Sequence, residues 1–201
     1  PESLETLRSF GVHGPEVRIT ADPALLMEGD ASAAERYLEK MGLNPEGQYS
    51  LFVLRPWEGT QEKLSAICAA ADYGWEKYGL APLFYTLEPS RDEEITRTAV
   101  AMVKAPCCCL SPIGDGAALC GLMGRMGLVV SMRLHALVFA CARQTRVAAI
   151  SYDPKVSGFM SYLGSDSCVE LEDVNVAAMR DLVDRAMSET AQHENVVHLQ
   201  A

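Results

Sequence analysis

Residues 127–159 read GLVVSMRLHALVFACARQTRVAAISYDPKVSGF, and this stretch decides the fold. The apolar run at 128–130 reads as a strand. A helix over 134–143 follows, with Leu134, Leu137, Val138 and Cys141 on one stripe. Residues 147–150 form a second strand and 155–163 a short helix. Strand, helix, strand in succession packs as a parallel pair joined by a right-handed crossover, because parallel neighbours cannot be linked by a tight turn. Arg133 and His135 then fall at the first strand-to-helix turn and Lys155 at the second, where a buried sheet meets solvent.

The same alternation extends outward. YSLFVLR at 49–55 is a buried strand by its length and its Val and Phe content, and it ends at Arg55, Pro56 and Trp57. Helix is expected over 61–78, 91–104 and 117–126, and strand over 83–87 and 107–110. A strand at 168–171 and an amphipathic helix at 176–187 complete the series, with Val176, Met179, Leu182, Val183 and Ala186 on one face of that helix. Ahead of the alternation, 1–10 and 31–41 read as helices, the first stopped by Gly11 and the second closed by Gly42 and the Asn44-Pro45 turn. Residues 17–21 read as a short strand ended by Asp22-Pro23. The expected fold is α/β, a doubly wound, mostly parallel, Rossmann-like sheet with helices on both faces, forming one domain over residues 1–201. The chain opens within a helix and without an initiator Met, which suggests a piece of a longer protein.

A chain of 201 residues can bury a sizeable core, and 49% hydrophobic with 22% charged residues excludes disordered and collagen-like classes. The longest apolar run, seven residues at 136–142, is far short of a membrane span. No secretory signal opens the chain, so a soluble cytoplasmic protein is expected. The balance of 17 basic against 27 acidic residues, net −10, repels phosphate backbones and argues against nucleic acid as a partner. An anionic substrate must therefore be held by a local basic cluster. The seven cysteines are odd in number and sit mostly in apolar patterns, which fits a reducing compartment. Cys107, Cys108 and Cys109 alternate faces and no CxxC pair exists, so neither a metal site nor a cofactor is expected.

In doubly wound sheets ligands bind beyond the carboxyl ends of the strands. Those positions here are Arg55, Glu88, 111–116, 131–135 and 151–155. Ser131 is predicted to cap the following helix, whose first turn offers unpaired N–H groups and a partial positive charge to an anion. Arg133 adds a fork suited to carboxylate or phosphate, and His135 adds a group that transfers protons near neutral pH. Residues two apart on a helix point about 200° away from each other. Arg133 and His135 converge more easily if 132–133 are extended, so the helix proper is predicted to begin at or after Arg133.

Lys155 follows the turn Ser151-Tyr152-Asp153-Pro154 and can approach the same anion if the strands 128–130 and 147–150 are neighbours. Arg55 and Ser131 are further substrate-binding candidates, and Trp57 either stacks on a sugar or wedges against the sheet edge. Glu88 and Asp153 read as structural. SPIGDG at 111–116 resembles a phosphate-cradling turn but lacks the Gly and Lys spacing of a P-loop. His13, His193 and His198 carry no assigned role. The plain alternative makes Arg133 and Lys155 solvated surface charges and His135 a packed histidine; placement at two consecutive strand ends favours the anion site.

SMRLHALVFA at 131–140 followed by ISYDPKVSGF at 150–159 resembles the hallmark of the polysaccharide pyruvyl transferase family, in particular the bacterial branch that acts on the cell-wall polymers anchoring surface-layer proteins. The spacing from His135 to Lys155 fits that pattern. PES at 1–3, the Gly11-Val12 turn, ADPALLM at 21–27 and LRPW at 54–57 extend the resemblance. It implies a domain similar to the C-terminal half of a GT-B fold, with an N-terminal domain, missing here, facing it across a cleft. It implies transfer of a pyruvyl group from phosphoenolpyruvate to a pair of glycan hydroxyls, giving a pyruvate ketal. A lipid-linked glycan acceptor would place the reaction at the inner face of the membrane.

By the same resemblance Arg133 and His135 match donor-contacting positions and Lys155 the basic residue of the second motif, with His135 as general acid or phosphate partner. The family's further basic residue near its first-domain boundary has no counterpart, so the fragment alone is expected to be inactive. Two other readings stay open. One is a nucleotide-sugar-dependent GT-B glycosyltransferase that uses the same strand ends for a diphosphate, and the other a non-catalytic small-anion-binding module.

Overall fold

The computed structural model describes residues 2–14, 17 and 22–189. The elements run α1 (Glu2–Ser9), a 3-10 turn (Pro23–Leu26), α2 (Ala31–Lys40), β1 (Tyr49–Val53), α3 (Thr60–Tyr78), β2 (Ala81–Tyr85) and α4 (Pro89–Met102). They continue with β3 (Cys108–Leu110), α5 (Gly116–Gly124), β4 (Leu128–Ser131), α6 (Leu134–Ala142), β5 (Val147–Ser151), α7 (Pro154–Leu163), β6 (Cys168–Glu170), a 3-10 turn (Leu171–Asp173) and α8 (Val176–Ser188). The six strands form one sheet in the order β3-β2-β1-β4-β5-β6, parallel throughout. The order reverses between β1 and β4, the switch point at which open α/β sheets hold ligands. The doubly wound sheet expected from the sequence is the one observed, and β4 and β5 are neighbours, with Val129 opposite Val147 and Ser131 opposite Ala149.

Every residue of β1, β4 and β5 is buried, as expected for parallel strands covered on both faces. Leu51 and Val53 join the core beneath α2, α5, α6 and α7, while Phe52 and Leu54 join the core beneath α3, α4 and α8. Phe52 stacks on Phe84 with ring centroids 5.3 Å apart. Each such side chain contributes on the order of 1.5–3 kcal/mol by leaving water.

The strand expected over 83–87 lies two residues earlier, at Ala81–Tyr85. Pro82 is the second residue of the strand, and the Ala81 N–H donates to the Gln48 carbonyl at 2.9 Å. The helix expected over 91–104 starts at Pro89, which fits a first-turn position where no N–H is needed. The strand expected at 17–21 lies outside the described residues except for Val17, and His193 and His198 lie outside them altogether.

Two contacts fix the outer layer. A Cβ on Gly121 would stand 2.2 Å from the Asp30 carbonyl oxygen, so only glycine lets α5 approach the start of α2. The Asp30 N–H donates to the Ala117 carbonyl at 2.9 Å. On the opposite face, Asp184 of α8 accepts from Tyr73 at 2.9 Å, Tyr78 at 2.8 Å and Lys77 at 2.9 Å, pinning α8 to α3. Burial works against the Asp184 charge, yet the hydrogen bonds from Lys77, Tyr78 and Tyr73 hold its pKa below the ordinary carboxylate value. Among the described residues no helix is long and apolar enough to cross a membrane.

Candidate functional site

The sequence-predicted positions all gather along the carboxyl edge of the sheet: Arg55 and Trp57 after β1, Glu88 after β2, 111–116 after β3, and the turns after β4 and β5. Parallel strands make this inevitable, since every β-to-α turn then leaves the same edge. What each side chain does there was not fixed by position.

The β4 turn is held by Ser131, whose hydroxyl accepts the Arg133 N–H at 2.8 Å and lies 2.9 Å from the Arg133 carbonyl. The predicted cap is therefore corrected. Arg133 is the N-cap of α6, extended at φ −94° and ψ 118°, and Ser131 closes a tight turn two residues ahead of that cap. The prediction that the helix begins at or after Arg133 agrees with this. Because an arginine holds the cap position, no side chain among the described residues caps α6; the Ala136 N–H donates to the Arg133 carbonyl at 3.1 Å, which leaves the Leu134 and His135 amides for an anion.

The Arg133 side chain does not face outward. Its Nε donates to Asp92 Oδ2 at 3.2 Å and its Nη1 to Glu88 Oε2 at 3.0 Å, while Nη2 meets Asp92 Oδ1. The Asp92 side chain is 0% exposed and that of Arg133 only 11%. Burial opposes the guanidinium charge, but hydrogen bonds and attraction from Asp92 and Glu88 outweigh it and raise the Arg133 pKa. Its charge is matched before any ligand arrives. Asp92 was missed in the sequence; its signal was an acid in the first turn of a helix at a strand end. His135, by contrast, is exposed, with its ring 6.4 Å from that of Phe139.

At the β5 turn Asp153 caps α7, accepting the Lys155 N–H at 3.0 Å, and its carboxylate lies 3.4 Å from Lys155 Nζ. The Lys155 backbone N–H, then the Lys155 side chain and the nearby Arg55, hold the Asp153 pKa below the ordinary value. Arg55 donates from Nη1 to the Tyr152 hydroxyl at 2.7 Å, and its guanidinium carbon stands 5.1 Å from the Tyr152 ring and 5.4 Å from that of Trp57. Lys155 Nζ lies 5.9 Å from the same Tyr152 ring.

Tyr152 is thus the residue around which the structure gathers Arg55, Trp57 and Lys155. The sequence reading passed over it, although an aromatic residue at a strand end of this sheet was visible. Arg133 and Lys155, expected to share an anion, are drawn apart: one reaches to α4 and the other stays on its own turn.

Beyond β1, β5 and β6 lies a cavity of about 400 Å³ lined in part by Trp57, Tyr152, Glu58, Lys63, Glu170 and Glu172. The cysteines are free thiols, and burial pushes Cys68 and Cys141 up to about 12, which leaves them unreactive at neutral pH. Asp115, in the SPIGDG loop, caps α5 by accepting the Ala117 N–H at 2.9 Å.

A search of curated protein sequences gives no match. Among solved structures the chain is similar to a UDP-GlcNAc 2-epimerase from Neisseria meningitidis, with 10% identity and a TM-score of 0.66 over 97% of this chain and 53% of that one. It is similar also to the UDP-GlcNAc 2-epimerase of Methanocaldococcus jannaschii, with 13% identity and a TM-score of 0.63 over 98% of this chain and 57% of that one. The C-terminal domain of a group 1 family glycosyl transferase from Francisella tularensis matches over 91% of this chain and 95% of its own, with 14% identity and a TM-score of 0.52. These likenesses show the fold, a Rossmann-like half of GT-B type, and the chain spans little more than half the length of the epimerases. The model of the polysaccharide pyruvyl transferase family matches residues 1–154, which include Arg55, Ser131, Arg133 and His135 and stop one residue before Lys155. The chain belongs to the polysaccharide pyruvyl transferase family.

Proposed function

We propose that this domain binds phosphoenolpyruvate and carries the general acid of an enzyme that transfers its pyruvyl group to a cell-wall glycan. The observation that carries the reading is the cationic edge itself. Within a family-matched chain of net charge −10, Arg55, Lys155 and the uncapped start of α6 lie on adjacent strand ends beside an exposed histidine.

The chemistry fits these groups. Two glycan hydroxyls add to C2 of the enol phosphate, the methylene carbon gains a proton and becomes methyl, and the C2–O bond to phosphate breaks. The two hydroxyl protons end on the methyl carbon and on inorganic phosphate. His135 supplies the proton as general acid. Arg55 and Lys155 hold the carboxylate and phosphate, and the amides of α6 offset charge on the departing phosphate. Arg133 uses three of its five N–H groups on Asp92 and Glu88, which sets the turn presenting His135. Ser131 shapes that turn from below.

A second domain across the cleft completes the enzyme, and the acceptor is lipid-linked, so the reaction runs at the cytoplasmic face of the membrane. The test is phosphate release by the complete two-domain protein supplied with phosphoenolpyruvate and lipid-linked disaccharides of the kind that prime cell-wall polymers. Release that depends on both substrates is expected. Release of a nucleotide from a UDP-sugar instead would establish the glycosyltransferase reading, and binding of phosphoenolpyruvate without turnover the non-catalytic one.

A further inference from the structure

The cavity beyond β1, β5 and β6 has the wrong charge for phosphoenolpyruvate. Glu58, Glu170 and Glu172 line it, against the single ammonium of Lys63, whose Nζ is 2.8 Å from the Glu172 carbonyl oxygen. All three glutamates are exposed and their carboxylates accept hydrogen bonds, so a ligand that replaces water beside them is favoured when it brings donors. The remaining wall is aromatic. Trp57 is 47% exposed and tilted against Tyr152 with ring centroids 4.7 Å apart, which presents apolar surface at the mouth. A rim of acceptors beside an aromatic plate fits a pyranose, which carries hydroxyl donors around its edge and an apolar C–H face. A cation would also suit the carboxylates. Arg55, however, already places its guanidinium 5.4 and 5.1 Å from the two rings, and its charge repels a second cation from the aromatic wall.

We propose that this cavity is the acceptor-sugar subsite, holding a neutral pyranose against Trp57 with its hydroxyls donated to Glu58, Glu170 and Glu172. Its position supports the assignment. Tyr152 forms a wall of the cavity and also binds Arg55 and faces Lys155, so a sugar seated there lies beside the groups assigned to the donor. The role as acceptor subsite rests on the pyruvyl-transfer reading; the binding of a neutral sugar does not.

The test titrates this chain with N,N′-diacetylchitobiose and maltose as neutral saccharide probes, choline as a cation probe and phosphoenolpyruvate as an anion probe. Ligand-observed NMR and the fluorescence of Trp57 in a Trp75→Phe background provide the readout. Saturable binding of at least one saccharide is expected, weakened about tenfold or more by Trp57→Ala and by Glu172→Gln. In Glu172→Gln the affinity for phosphoenolpyruvate should move less than about threefold. Binding of choline in place of both saccharides, no saccharide binding at all, or saccharide binding that survives both substitutions overturns the subsite.

In the assembled enzyme, Glu172→Gln should raise the KM for acceptor about tenfold and that for phosphoenolpyruvate less than about threefold; an equal rise in both overturns the assignment. Absence of phosphate release from the wild-type enzyme, with saccharide binding still dependent on Trp57, would sink pyruvyl transfer and leave the sugar site standing.

Discussion

The turns after β4 and β5 are assembled from the same parts. Each strand ends in a buried serine whose hydroxyl approaches the carbonyl two residues on, at 2.9 Å for Ser131 and 3.5 Å for Ser151, and that carbonyl belongs to the N-cap of the next helix. The caps then divide the two turns. At β4 the cap is Arg133, whose side chain cannot accept from the helix amides and sends its charge inward to Asp92 and Glu88. At β5 the cap is Asp153, which fills its own helix terminus, while the cations Lys155 and Arg55 gather around Tyr152. One turn offers an open helix end with its arginine committed, and the other a closed helix end with its cations facing a shared aromatic ring. An anion seated between them would be met by amides from one side and cations from the other.

The largest effect should come from the group at the open helix end that faces solvent. In the complete enzyme His135→Ala should lower turnover by about 10²–10⁴-fold with little change in melting temperature. Wild-type turnover in that variant would remove His135 from the chemistry.

Next is the committed arginine. Arg133→Ala leaves the Asp92 carboxylate buried without its partner, so urea denaturation should show a loss of roughly 3–5 kcal/mol. If Asp92→Asn in the same chain restores part of that loss, the cost is shown to be the unpaired charge. Arg55→Ala is the contrasting substitution. It removes a half-buried cation with no carboxylate bonded to it among the described residues, so stability should change by less than about 1 kcal/mol. Its effect should appear instead as about tenfold weaker binding of phosphoenolpyruvate, read by calorimetry. Equal stability losses in the Arg133 and Arg55 variants would erase the distinction between the turns.

This distinction marks where the sequence ceased to be legible. The alternation of apolar runs and helix stripes from 49 onward gave the parallel sheet, and the parallel sheet alone brings Arg55, Arg133, His135 and Lys155 to one edge. Whether a charge at that edge is free depends on residues far away in the chain. Arg133 is neutralised by Asp92, 41 positions earlier, because β1 lies between β2 and β4 and the start of α4 overhangs it. Arg55 meets Tyr152, 97 positions later, because β1, β4 and β5 stand side by side. Strand order decides both pairings, and local pattern does not report strand order. The bounds of β2 differ for another reason: the strand expected over 83–87 begins at Ala81, because the sheet accommodates Pro82 as its second residue.

The smallest effect expected is also the most direct probe of how Asp153 limits its own turn. Asn keeps a side-chain oxygen able to cap the Lys155 N–H but removes the negative charge 3.4 Å from Lys155 Nζ. Asp153→Asn should therefore strengthen phosphate binding by this chain about twofold at low salt, and the gain should fade as ionic strength rises. The pH dependence has a definite sign. Because hydrogen bonding from Lys155 lowers the folded pKa of Asp153, its charge contributes stability above the ordinary carboxylate pKa near 3.9, and that contribution is lost as pH falls through the lowered folded value. The difference in stability between wild type and Asp153→Asn should accordingly be present at pH 7 and shrink as pH falls below the ordinary carboxylate range, in urea titrations at each pH. Weaker phosphate binding in the variant would mean that the carboxylate serves to aim Lys155 rather than to hold it back, and the two helix ends would then be one anion site built from both turns.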